Sequence, residues 1–176
     1  MHSLVLLAKL AVEAYVKEEK IIDIPDDFPE EFLKRKAGVF VTIEKENNLR
    51  GCIGTYLPTK ENIAKETISN SIAAAFKDYR FESVSKEDLP FLSYAVYVLN
   101  PPELVKDISE LNPQKYGIII QTSQDSRFKK CGLLLPDLEG VDTPEEQISI
   151  ACNKGGVDPE REKIMIYKFT VEKYEA

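Results

Sequence analysis

Residues 39–55 read Val39-Phe40-Val41-Thr42-Ile43-Glu44-Lys45-Glu46-Asn47-Asn48-Leu49-Arg50-Gly51-Cys52-Ile53-Gly54-Thr55. Val39, Val41 and Ile43 alternate with Phe40, Thr42 and Glu44, the two-residue period of a half-buried strand. Glu46-Asn47-Asn48 then supplies turn residues before a second strand begins at Leu49. The stretch predicts a β-hairpin, and the rest of the chain surrounds it with helices and further hairpins. Upstream, Ser3 is placed to cap a helix running to about Glu19, with Leu4, Leu7, Ala11 and Ala14 on one face. The acidic, proline-broken segment Asp23 to Pro29 is a connector, followed by a helical turn at Glu30 to Lys36. Downstream, Thr59 is placed to cap a long helix whose apolar face, Ile63 to Phe76, reaches Asp78. Ser85 to Leu89 reads as one capped turn halted by Pro90. Leu92 to Leu99 is apolar on both faces and predicts a central strand. Gly117 to Thr122 and Cys131 to Leu135 predict a second hairpin across the polar loop Ser123 to Lys129. Thr143-Pro144 and Gly155-Gly156 bracket a last helix, and Ile164 to Val171 reads as a closing strand. Hairpins mixed with segregated helices predict an α+β fold built on a mainly antiparallel, mixed sheet with flanking helices.

At 176 residues the chain has room for one domain, or one core with a small appended lobe. A net charge of −7 and a pI near 4.9 disfavour a nucleic-acid partner, which calls for a basic face. Cys52, Cys131 and Cys152 are odd in number and widely spaced, which fits neither a secreted disulfide framework nor a zinc ribbon, so reduced thiols in a cytoplasm are expected. The apolar opening from Leu4 to Val12 lacks a basic n-region and a cleavage site, and no stretch approaches the roughly 18 apolar residues of a membrane span. Neither export nor membrane insertion is expected.

His2 is the one histidine, at a terminus expected to be mobile. That argues against Ser-His-Asp and Cys-His catalysis and against His-rich metal sites. No GxxxxGK[ST] loop or GxGxxG turn is present, and no motif indicates a cofactor or a metal. What remains is the 50–55 stretch. In a regular strand Arg50 and Cys52 share a face with Cα atoms about 7 Å apart. Two charges at that range interact by roughly 2 kcal/mol at an effective dielectric of about 20, enough to make Cys52 a partly ionised nucleophile. Gly51 and Gly54, as glycines inside a strand, mark either a bulge or a surface that another backbone or a ligand approaches closely, with Thr55 beside them. The competing reading is a packed strand with an inert Cys52 and Arg50 held by a core carboxylate. Asp78-Tyr79-Arg80-Phe81 raises the same choice, since Arg80 suits an anionic ligand or a carboxylate that fixes the helix end. Cys131 and Cys152 resemble small core hydrophobes. Lys154, before Gly155-Gly156, is an ordinary helix C-terminal cation or a ligand contact.

These blocks, in this order, resemble the AMMECR-one domain family, in particular its prokaryotic branch, called AmmeMemoRadiSam system protein A. The resemblance rests on Val39-Phe40-Val41-Thr42 leading into Leu49-Arg50-Gly51-Cys52-Ile53-Gly54-Thr55, then on Ala73-Ala74-Ala75-Phe76 with Asp78-Tyr79-Arg80-Phe81. Asn100-Pro101-Pro102-Glu103, Leu133-Leu134-Leu135-Pro136 and Cys152-Asn153-Lys154-Gly155-Gly156 continue it. Tyr79 stands where family members often have proline, and Gly155 where they have alanine. The resemblance implies a single domain over residues 1–176, with a larger and a smaller lobe around a groove that contains the hexapeptide. It also implies company with a Memo-like protein and a radical SAM enzyme, and no settled activity. Three functions are therefore expected, in descending order. The first is an accessory or substrate-recognition component of that system. The second is a small enzyme using Cys52 as nucleophile or base, with Arg50 and Arg80 holding a small anionic substrate. The third is a nucleic-acid-associated regulator.

Overall fold

A computed structural model describes residues 1–123 and 129–175, which divide into two compact units, one formed by 1–99 with 172–176 and the other by 100–171. In the first unit α1 (Ser3–Glu18), the short α2 (Glu30–Lys34) and α3 (Ile63–Phe76) accompany a four-stranded sheet. Its strands are β1 (Val39–Lys45), β2 (Asn48–Thr55), β3 (Leu92–Leu99) and β8 (Val171–Glu175), in the order β2-β1-β3-β8. β3 is thus the interior strand expected, although burial alternates along it, Tyr94, Val96 and Val98 being buried while Ala95 and Tyr97 are half-buried. Val39, Val41 and Ile43 are fully buried and meet Val96 and Val98 of β3 together with Leu4, Ala8 and Val12 of α1. Phe40 and Thr42, one residue out of phase, lie half-buried on the opposite face.

The second unit pairs β4 (Glu103–Leu104), β5 (Gly117–Thr122), β6 (Cys131–Leu134) and β7 (Ile164–Phe169) in the order β4-β7-β5-β6. α4 (Pro144–Gly155) packs on β5 and β6, its Ala151 and Cys152 meeting Ile118, Ile120 and Leu134. The expected Thr143 cap is present as a capping box with Glu146, and Gly156 closes the helix at φ 62°. The pairings of β1 with β2 and β3, and of β5 and β7 with their neighbours, are antiparallel.

Several local expectations are corrected. The single sheet is two sheets, and the closing strand is broken at Thr170 into β7 and β8, which serve different sheets. The N-cap of α3 is Asn62, whose side chain accepts from the Lys65 N–H, because Thr59 is engaged elsewhere. The N-cap of α1 is His2, through Nδ1, and its ring stacks on Tyr174 at 4.1 Å and meets Phe32 edge-on. Pro90 lies inside a 3-10 turn, Leu89–Phe91, that leads into β3. Residues 124–128 of the expected polar loop lie outside the described residues.

Candidate functional site

The hairpin closes through Glu46 and Asn47, both at positive φ (51° and 65°), with Lys45 opposite Asn48. Two left-handed residues match the twist of the flanking strands. The register then slips. Glu44 pairs with Leu49 but Ile43 pairs with Gly51, so Arg50 is the extra residue of a β-bulge. Because strand side chains alternate, one inserted residue exchanges the faces of everything beyond it. Without the bulge Cys52 would oppose Val41 and point into the core. With it Cys52 opposes Thr42 on the half-buried face, along with Phe40, Gly54 and Tyr97. The expectation that Arg50 and Cys52 lie two apart on a regular strand is corrected accordingly.

β2 is an edge strand, and the chain after α3 covers that edge. Arg50 donates to the carbonyls of Glu82 (2.5 Å) and Ser83 (3.1 Å) and to Oδ2 of Asp88 (3.2 Å). Lys45 donates to the other Asp88 oxygen at 2.7 Å, and the Ser85 N–H adds a bond. Hydrogen bonding from Lys45, then from the Ser85 backbone, holds the Asp88 carboxyl down at about 2. Arg50 thus straps the 82–88 segment to the hairpin.

Nearer the thiol, the Cys52 N–H donates to Oδ2 of Asp78 at 2.9 Å. Arg80 grips the same carboxylate with two groups, Nε to Oδ1 at 2.9 Å and an Nη to Oδ2 at 2.7 Å. The Asp78 side chain is 3 % exposed and that of Arg80 46 %. The Arg80 hydrogen bonds, with the Cys52 N–H, overcome burial and hold the Asp78 carboxyl down at about 2. Arg80 is held more firmly in its charged form, chiefly by bonding to Asp78, and the Cys52 thiol lies within its electrostatic reach. Between them Tyr79 is 96 % exposed. On the other side of Cys52, the Thr42 hydroxyl donates to Sγ at 3.3 Å. Tyr97, on the same face, is pushed up by burial, with Cys52 a smaller contributor.

The glycines here are packing positions. A Cβ on Gly51 would lie 2.1 Å from the Ala74 carbonyl oxygen, so helix α3 rests directly on the β2 backbone. That contact brings Asp78, two residues past α3, within reach of Cys52. On Gly54 a Cβ would strike the ring of its cross-strand partner Phe40 at 2.2 Å. Thr55 points into the core and donates to Glu66 (2.8 Å), a fully buried carboxylate on α3 that sequence reasoning missed. Glu66 also accepts from the Thr59 hydroxyl and from the backbone N–H groups of Thr59 and Lys60, each at 2.7 Å. Burial pushes its pKa up, but these bonds outweigh it and leave the carboxyl below its ordinary value.

Cys52, Asp78 and Arg80 therefore come together, Arg50 anchors a loop, and Lys154 lies in the last turn of α4 in the other unit. Thr42 and Tyr97 are the neighbours the sequence reading lacked, since their proximity depends on the bulge. Among the described residues no group of three or more His, Cys, Asp or Glu side chains is placed to hold a metal ion. No helix among them is long and apolar enough to cross a membrane.

Two four-stranded antiparallel sheets, with a strand cysteine buttressed by an aspartate–arginine clamp, define an α+β protein of one recognisable kind. The chain belongs to the AMMECR1 family, whose family model matches residues 5–174. A protein of Thermotoga maritima is 49 % identical over 98 % of this chain and 97 % of its own length. A longer protein of Clostridium acetobutylicum is 43 % identical over 97 % of this chain, which spans 35 % of that relative. The crystal structure of an uncharacterized protein from Pyrococcus horikoshii superposes with a TM-score of 0.88 at 35 % identity, covering 98 % of this chain and 89 % of that one.

Proposed function

We propose that the protein is an accessory component that recognises a partner or substrate for a Memo-like protein and a radical SAM enzyme, in the cytoplasm, without turnover of its own. The observation that carries this reading is the Asp78-Tyr79-Arg80 turn. Its carboxylate is spent on internal bonds, so the turn is braced, and it presents Tyr79 almost wholly to solvent beside a half-exposed Arg80. Tyrosine and arginine dominate the energetics of interfaces, and a pre-braced anchor lowers the entropy lost on binding. The partners' identities come from the family resemblance. The Clostridium relative, in which a domain like this one fills about a third of a longer chain, supports a domain that works beside others. The test is biolayer interferometry of the purified chain against the Memo-like and radical SAM proteins of the same cell. Tyr79→Ala should weaken one of them at least tenfold, and an unchanged affinity for both would reject the turn as the contact.

A thiol enzyme is the second reading, favoured by one observation, the Thr42 hydroxyl that donates to the Cys52 Sγ while the Asp78-bound Arg80 lies within electrostatic reach of it. A small anionic substrate would then meet Arg80 and not Arg50, whose donors are committed to residues 82, 83 and 88. A nucleic-acid role is disfavoured by the net charge of −7.

A further inference from the structure

Away from the cysteine, the first unit carries a cleft of about 320 Å³ between the connector that follows α1 and one face of α3. Ile68 and Ile72 of α3 line it, with Ile22 and Ile24 of the connector packed against the same apolar cluster. Three lysines line it against one acid, Asp23. Lys60 and Lys65 stand at the N-terminal end of α3 and Lys77 at its C-cap. Lys65 is paired with Glu61, while the ammonium groups of Lys60 and Lys77 have no ion pair among the described residues. In a chain of net charge −7 this is a local inversion of sign.

The connector wall has a second property. Burial alternates along it, Ile21 and Asp23 exposed, Ile22 and Ile24 turned inward, which is the period of an extended strand. Among the described residues no hydrogen bond reaches the backbone of residues 21–24. An extended segment with unpaired N–H and C=O groups is an edge to which another strand can add. The cleft length agrees. Lys65 and Lys77 are separated by twelve residues of helix, about 18 Å. In an added strand, residues four apart share a face and stand about 13 Å apart, and lysine side chains span the difference.

We propose that this cleft binds an extended acidic peptide of a partner protein, added as a strand along residues 21–24. Acidic, apolar and acidic side chains at alternate positions would face Lys60 with Lys65, then Ile68 with Ile72, then Lys77. The unpaired backbone favours a peptide over a small organic anion, because only a peptide offers alternating donors and acceptors at the matching repeat. The proposal is independent of the recognition turn at Tyr79, and either can fail without the other.

Fluorescence anisotropy of the full chain with labelled heptapeptides Thr-Glu-Thr-Φ-Thr-Glu-Thr, Φ being Ile, Leu, Val or Phe, tests it. At least one should bind with Kd below about 1 mM, and its counterpart with lysine at both glutamate positions should not. The double variant Lys60→Glu, Lys77→Glu, whose side chains are exposed and whose folding is checked by circular dichroism, should weaken binding by about tenfold or more. Of two peptides N-methylated at odd or at even positions, one should lose binding and the other keep it, since strand addition uses one set of amides. Four results overturn the proposal: no binding by any peptide, binding indifferent to the lysine reversals, both methylated peptides still bound, or displacement by suberate at the same concentration as unlabelled peptide.

Discussion

Replacing Glu66 separates what its charge does from what its geometry does. Oε2 receives two backbone N–H groups, Thr59 and Lys60, and Oε1 receives two hydroxyls, Thr55 and Thr59. Glutamine in the same rotamer keeps a carbonyl oxygen for the N–H pair and turns its NH₂ to the hydroxyls, which can rotate and accept. Leucine offers nothing to either. Two stranded backbone donors cost about 1–3 kcal/mol each, so Glu66→Leu should destabilise by about 3 kcal/mol once some water entry is allowed, against about 1 kcal/mol for Glu66→Gln. At this chain length that is a melting shift of roughly 6–12 °C against 2–4 °C. Urea unfolding followed by far-UV circular dichroism measures both. Because the Glu66 carboxyl lies below its ordinary value in the folded state, its contribution is present above an unfolded value near 4.5 and is lost as pH falls through the lower folded one. The difference between wild type and Glu66→Leu should therefore shrink in acid. Equal losses for Gln and Leu at neutral pH would refute the donor accounting.

Asp78, held at about 2, should lend stability that is complete above about pH 4 and lost between pH 4 and 2. Discounted for the exposure of Arg80, it amounts to about 1–2 kcal/mol, and Asp78→Asn should flatten the acid limb of a stability–pH curve by that much. Gly51→Ala forces a methyl into the Ala74 carbonyl and should cost about 3 kcal/mol, more than Gly54→Ala, where the obstacle is the Phe40 ring; paired thermal melts rank them. In iodoacetamide mapping by mass spectrometry, Cys152, buried and with its thiol pushed up by burial, should be slowest. Arg80→Ala should slow labelling of Cys52 while Arg50→Ala leaves it unchanged; the opposite order would return Arg50 to the thiol.

What was legible in the sequence was whatever local periodicity determines. The alternation of Val39, Val41 and Ile43, the Thr143 cap with its Gly156 stop, and the two-sided apolar run of β3 each appear where expected. What was not legible depends on a single residue of register. Gly51 marks a bulge or a close-approaching backbone, and both are present, but the sequence does not say that Arg50 is the inserted residue, which decides that Cys52 faces Thr42 and that Arg50 leaves the thiol. Glu66 escaped notice because a lone glutamate on an apolar helix face reads as an exposed charge until a loop folds back over it with four donors. The break at Thr170 was hidden for a related reason, since two consecutive strands with like composition look like one. The Asp78–Arg80 clamp was foreseen as one of two options, and the geometry realises the carboxylate-pairing one while leaving half of Arg80 exposed.

The proposed function requires that the exposed turn at Tyr79 recognises a partner and that the thiol performs no chemistry. The most direct measurement is complementation of a strain lacking this gene, with each variant shown to be folded and expressed at wild-type level. Cys52→Ser should restore function fully. Tyr79→Ala, which removes a side chain with no internal packing, should fail or be severely impaired, as expected for an interface anchor worth about 2 kcal/mol or more. Loss of complementation by Cys52→Ser together with full activity of Tyr79→Ala would overturn the recognition role and establish thiol chemistry in its place.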